Sequence, residues 1–135
     1  VVPDAVARAV PDAAALRASS RDVGGAAGGL VGFVVVAFDR HGRHAHMRMF
    51  APEVGVVEDP ATGSAAVALG VLLVDRGVLA GDGPTGFTVD QGAEIGRPSR
   101  LAVLVRARDG AAVGTAVRGD VTTVARGELV ALLAP

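Results

Sequence analysis

Glu58-Asp-Pro-Ala-Thr-Gly-Ser64 runs directly into Ala65-Ala-Val-Ala-Leu-Gly-Val-Leu-Leu-Val74, and the join between these two stretches decides how the chain is read. The second stretch has helical length, is rich in Ala and Leu, and is followed by Asp75, Arg76 and the stop residue Gly77. It is apolar on every side, so a helix beginning near Gly63 is expected to be buried and wrapped by other elements. The first stretch puts small and polar residues at the start of that helix. A helix start presents unpaired N–H groups and the positive end of the dipole, which makes Thr62, Gly63 and Ser64 a candidate seat for an anionic ligand. Asp59 stands just outside the seat, where its carboxylate is placed to exchange a proton with a ligand whose own carboxylate occupies the helix end. Spacing alone leaves a plainer alternative open, in which Asp59 or Thr62 simply caps the helix.

The flanking sequence supplies what would wrap such a helix. Upstream, Leu30–Phe38 is a nearly continuous β-branched apolar run, the pattern of a strand covered on both faces. Asp39-Arg-His-Gly42 reads as a hairpin turn, and His44–Phe50 then alternates, with Ala45, Met47 and Met49 on one side and His44, His46 and Arg48 on the other. Pro3–Ala18 reads as two short helices or one kinked helix, since each Pro-Asp pair suits a first turn. Gly24–Gly29 reads as a turn, and its glycines do not follow a strand into a helix as a dinucleotide loop requires. Downstream, Gly86–Asp90, Arg100–Ala107, Ala112–Val117, Val121–Ala125 and Glu128–Leu133 read as short strands between Gly- or Asp-containing turns. The expected architecture is α+β, with six or seven strands curled around one helix in a single domain spanning residues 1–135.

Composition narrows the partners. A chain of 135 residues has room for one core, and a hydrophobic content of 50% points to extensive burial or to a face that meets a partner. The apolar run at Leu30–Phe38 is far short of the roughly 20 residues a membrane-spanning helix needs, so no membrane is expected. All 13 basic residues are Arg, scattered among 14 acids with a net charge of −1, and the absence of a basic stripe argues against nucleic acid. There are no cysteines, which removes disulfides, thiolate metal sites and a cysteine nucleophile and fits a cytoplasmic location. His44 and His46 share one strand face but have no apparent third ligand, so no metal site is assigned. Gln91, Gly92, Glu94 and Arg97 are candidates to line or brace the site, with Arg97 in a Gly-Arg-Pro-Ser turn. The opening Val1-Val2-Pro3-Asp4 has neither an initiator Met nor a signal-peptide layout, and residues are expected to have preceded it.

Arg48-Met-Phe-Ala-Pro52, Gly55, Glu58-Asp-Pro-Ala-Thr-Gly-Ser-Ala65, Gln91-Gly92 and Gly96-Arg-Pro-Ser99 follow one another in this order. On these motifs the chain, from about Val2 to Leu133, resembles the C-terminal half of PhzF-like proteins, a family that shares its fold with diaminopimelate epimerase. The resemblance implies a diaminopimelate epimerase-like domain, a curled, barrel-like mixed sheet around one central helix, with the active site between two such domains. It also implies a cofactor-independent isomerase that removes and returns a proton on a small carboxylate-bearing substrate, as in phenazine biosynthesis. By motif, Asp59 takes the place of the family acid, and Gly63 and Ser64 that of its substrate-facing backbone and hydroxyl, while Thr62 joins them as a substrate-binding candidate through the anion seat at the helix start. The acid-base Glu and the Gly-His pair of the family belong to the N-terminal half; no counterpart precedes Pro3, and neither Glu53 nor Glu58 takes that role by motif. Activity is therefore expected to need an N-terminal half or a second copy, with a homodimer as the expected assembly. The competing expectation is a non-catalytic anion-binding or assembly domain derived from the same fold.

Overall fold

In the computed structural model, which describes residues 3–24 and 30–128, the apolar run and the alternating run pair as a hairpin. Two short helices come first, α1 (Pro3–Ala7) and α2 (Ala13–Gly24). Strands β1 (Phe33–Asp39) and β2 (His44–Ala51) are antiparallel, with Val36 opposite Met47. At their turn the Asp39 carboxylate accepts hydrogen bonds from the His41 and Gly42 N–H groups at 2.9 and 3.1 Å. A 3-10 turn over Pro52–Val54 is closed by Gly55 at φ 79°, and the chain returns as β3 (Val56–Asp59), antiparallel to β2. The Pro-, Gly- and acid-rich sequence of this segment does not by itself predict a strand.

Helix α3 (Gly63–Asp75) then carries the chain across the sheet, so that β4 (Gly83–Gln91) lies parallel to β2. Antiparallel β5 (Ser99–Arg108) and β6 (Ala111–Gly119) complete a six-stranded mixed sheet of order β1-β2-β4-β5-β6, with β3 on β2. The core lies between this sheet and α3: Ala45, Met47, Phe87, Val89, Leu101, Val103 and Val105 face Ala66, Leu69 and Leu73. Close approach depends on Gly70, where an added Cβ would sit 2.6 Å from Val105 Cγ2.

Three expectations are corrected. The sheet stays open among the described residues, where a curled wrap was expected. Helix α3 buries one stripe, Ala66, Leu69, Gly70, Leu73 and Val74, while Val71 and Leu72 remain 44% and 46% exposed. An apolar helix therefore shows a bare face, because the described strands cover one side of it. Third, Val121–Ala125 forms no strand, and Val121 and Val124 are almost fully exposed; a β-branched run without a neighbouring strand has nothing to pair or pack with. Of the expected strand Glu128–Leu133, Glu128 is outside any strand and residues 129–133 lie outside the described residues, as do residues 25–29 of the expected glycine turn. No helix among the described residues is long and apolar enough to cross a membrane.

Candidate functional site

The short strand β3 ends in two carboxylates, and strand alternation sends them to opposite sides. Glu58 meets the buried Arg48 of β2 in a two-pronged ion pair, Nε to Oε1 at 2.9 Å and one terminal nitrogen to Oε2 at 2.8 Å. The other terminal nitrogen of Arg48 donates to the carbonyls of Val6, Ala7 and Ala9 at 3.1, 3.1 and 2.7 Å, satisfying the end of α1. Its ring-facing side lies 5.1 Å from the centre of Phe50. The hydrogen bonds that Arg48 donates to Glu58 hold its guanidinium pKa above the ordinary value, against the opposing effect of burial. Glu58 is thus fully engaged as the counter-ion that fastens α1 to the sheet.

Asp59 is half-buried and sits in a different network. Its Oδ2 accepts a 2.5 Å hydrogen bond from the Thr62 hydroxyl. The amide of Gln91, at the end of β4, spans the loop: Nε2 donates to the Asp59 carbonyl at 2.6 Å and to Thr62 Oγ1 at 2.9 Å, and Oε1 accepts from the Thr62 N–H at 3.1 Å. Gln91 and Thr62 are 1% and 8% exposed, so these bonds are shielded from competing water. Next to them, Gly92 has φ 81°, and a Cβ there would lie 2.4 Å from the Arg97 carbonyl oxygen and 2.8 Å from that of Pro60. A side chain at position 92 is excluded on both counts. Ser99 Oγ closes the brace by donating to the Pro60 carbonyl at 2.6 Å. The separated pieces of sequence at positions 58–65, 91–92 and 96–99 therefore meet around one loop.

That loop opens α3 in an unusual way. Thr62 is the N-cap residue, in an extended conformation, but its side chain makes no capping hydrogen bond. Helix α2 shows the ordinary arrangement: the Asp12 carboxylate accepts from the Ala14 and Ala15 N–H groups at 2.9 and 3.1 Å. At α3 the first helical bond is Ala66 N–H to Thr62 O at 3.0 Å, and among the described residues no hydrogen bond is made to the N–H of Gly63 or Ser64. The structure thus brings Asp59, Thr62, Gly63 and Ser64 together, with the Thr62 hydroxyl turned toward Asp59 and the first N–H groups left unused.

The remaining candidates lie elsewhere. His46 Nε2 pairs with Glu94 Oε1 at 2.8 Å; His44 bonds Thr88 Oγ1 through Nδ1 at 2.9 Å and stands 3.4 Å from Asp90 Oδ2. Asp90 is also held by Arg100 at 2.7 and 2.9 Å, and that hydrogen bonding, ahead of the nearby His44, keeps its carboxyl below the ordinary aspartate range. His44, His46, Asp90 and Glu94, together with Asp39, border a cleft of about 580 Å3 on the sheet face away from α3. Each of these side chains is engaged, His46 with Glu94, Asp90 with Arg100 and His44, and Asp39 with the N–H groups of its own turn, so the site reading rests on Asp59, whose carboxylate lies beside unused N–H groups. Arg97 is exposed and takes part through its backbone, its N–H donating to Gly92 O at 2.9 Å. Sequence reasoning missed the fastening role of Arg48 and Glu58. A signal was present: Arg48 stands between Met47 and Met49-Phe50 in a strand-like run, where a charge calls for an opposite partner, and Glu58 is one of the nearby acids able to supply it.

The family described as phenazine biosynthesis-like protein matches residues 4–127. The trans-2,3-dihydro-3-hydroxyanthranilate isomerase of Pseudomonas fluorescens is 40% identical over 89 residues, which are 66% of this chain and 31% of that protein. The protein of the same name from Pseudomonas aeruginosa is 48% identical over 69 residues, 50% of this chain and 23% of that protein. From Salmonella typhimurium, a protein named uncharacterized isomerase YddE is 35% identical over 112 residues, 82% of this chain and 36% of that protein. The chain spans about a third or less of the length of these curated relatives.

Proposed function

Because the chain belongs to the phenazine biosynthesis-like family, with relatives named as isomerases, we propose that it forms one wall of an isomerase active site acting on a small carboxylate-bearing substrate. The observation that carries this reading is the adjacency of the half-buried Asp59 carboxylate to the unpaired N–H groups of Gly63 and Ser64. The N–H groups at the start of α3 seat the substrate carboxylate, and the helix dipole favours its negative charge. Asp59 then stands beside the seated ligand and relays or orients the proton that leaves one carbon and returns to another. Such a shift changes no oxidation state overall and consumes no second reactant, so carboxyl groups suffice and no cofactor is invoked. The name of the Pseudomonas relatives specifies an anthranilate, a ring bearing a carboxylate, which fits the seat.

In this reading the domain is the C-terminal half of a diaminopimelate epimerase-like pair, and the facing acid-base Glu comes from an N-terminal half. The bare apolar strip between β1 and α3, with Val34, Val36, Ala68 and Leu72, supports association, either with that half or with a second copy as a homodimer. The test is incorporation of solvent deuterium into trans-2,3-dihydro-3-hydroxyanthranilate, by the chain alone and by the chain supplied with a Glu-bearing N-terminal half. Exchange that needs both parts is expected. Absence of exchange from the joined protein contradicts the isomerase reading for this probe and favours an anion-binding or assembly domain.

A further inference from the structure

We propose that Thr62 and Gln91 are positioning residues that fix the Asp59 carboxylate for proton transfer, and that Thr62 does so at the expense of capping its own helix. The proposal rests on the reading of Asp59 given above. A threonine at an N-cap ordinarily turns its hydroxyl to the first-turn N–H groups. Here that hydroxyl donates to Asp59 Oδ2 at 2.5 Å, and α3 has no side-chain cap. One diversion has two consequences: Asp59 is held by one oxygen with the other left over, and the N–H groups of Gly63 and Ser64 stay open to a ligand.

Gln91 makes the diversion stable. A free hydroxyl rotates between partners, but Thr62 Oγ1 already accepts a hydrogen bond from Gln91 Nε2 at 2.9 Å, so its own proton is turned outward to Asp59. Gln91 also grips the backbone on both sides of the loop, through the Asp59 carbonyl and the Thr62 N–H, so the carboxylate and its donor cannot drift apart. With Gln91 in this place every polar atom of its amide is used, and no buried side-chain nitrogen or oxygen among the described residues lacks a partner. The chain of bonds is directional, from Gln91 through Thr62 to Asp59, and neighbouring bonds in such a chain polarise one another. Thr62 therefore acts on the substrate through Asp59, in place of the direct contact expected of it as part of the anion seat at the helix start.

The test uses Thr62→Val, which keeps shape and removes the hydroxyl, Thr62→Ser, which keeps the hydroxyl, and Gln91→Met, which removes the amide. Two measurements are made on each. In the protein joined to its other half, deuterium exchange should show kcat lowered about 10- to 100-fold in Thr62→Val and Gln91→Met, with KM little changed and with most of the rate restored in Thr62→Ser. In the isolated labelled chain, scalar couplings should report one Asp59 rotamer in the native protein and in Thr62→Ser, and several in the other two. Should Thr62→Val fail to fold, Gln91→Met and the native hydroxyl proton still decide the matter: that proton should exchange slowly and show a through-space contact to the Asp59 β-protons. If Asp59 keeps a single rotamer in Gln91→Met or Thr62→Val, or if kcat is unaffected, the positioning role is overturned. If the native protein shows no exchange but the rotamer pattern holds, the positioning geometry stands and the isomerase reading is what fails.

Discussion

Glu58 and Asp59 are consecutive residues of one strand and carry the same chemical group, yet they occupy contrasting surroundings on its two sides. Glu58 gives both oxygens to a buried guanidinium that also closes α1, so nothing about it is left to act on a ligand. Asp59 gives one oxygen to a hydroxyl and stays half-buried at the mouth of an uncapped helix. The contrast teaches that the role open to a carboxylate follows from what surrounds it: a full set of strong partners makes a fastener, whereas a partial set beside open donors leaves the group free for the role proposed for Asp59.

The largest effect should come from breaking the fastened side. Arg48→Met leaves Glu58 buried without its counter-ion and should cost about 3–5 kcal/mol in urea unfolding. Adding Glu58→Leu to that variant should recover much of the loss, because the uncompensated charge is then gone. A nearly neutral Arg48→Met would erase the distinction between the two carboxylates. A parallel contrast exists along α3, between its covered and bare faces. Leu69→Ala should cost about 2–5 kcal/mol by opening a cavity, while Leu72→Ala should cost under about 1 kcal/mol in the isolated chain and act instead on association. Equal losses at the two positions would mean that the bare face is covered in solution, which light scattering would register.

The smallest effect sharpens the comparison with a third carboxylate. Asp90 is exposed enough to be partly screened, and its pKa is lowered chiefly by the hydrogen bonds from Arg100. A lowered folded-state pKa gives stability that is present above the ordinary aspartate value and is lost as pH falls through the lowered value. Asp90→Asn should therefore reduce stability slightly at neutral pH, less as the pH is brought down, and less again in high salt. A loss that grows on acidification would contradict this assignment.

Much of the fold was legible because its pieces are locally consistent. The β-branched run before Asp39 and the alternation after His44 gave the hairpin, and the Ala- and Leu-rich stretch gave α3 close to its observed start. Strand β3 escaped because four residues, two of them acidic and bounded by Gly55 and Pro60, carry too short a pattern to show a period. The reverse error at Val121–Ala125 has the same origin, since strand-like composition does not say whether a neighbour is present to pair with. The bare face of α3 was invisible for a related reason: an all-apolar helix announces that it wants cover but not what supplies it. At the site, Asp59, Thr62, Gly63 and Ser64 share one motif and were found together. The sequence offers Gln91 as a brace, but its hold on Thr62 depends on β4 lying parallel to β2, a relation between strands that spacing along the chain does not contain.

If Asp59 handles the proton and the adjacent Glu58 does not, neutralising the two carboxylates must have separable effects. Solvent deuterium incorporation by the joined protein, measured in parallel for Asp59→Asn and Glu58→Gln and expressed per folded molecule, tests this directly. Asp59→Asn should lower exchange by about 100-fold or more while leaving unfolding stability within about 1 kcal/mol of native. Glu58→Gln should lose stability yet exchange at the native rate for each molecule that remains folded. Native-rate exchange in Asp59→Asn, or a per-molecule loss in Glu58→Gln as deep as that expected for Asp59→Asn, would contradict the account.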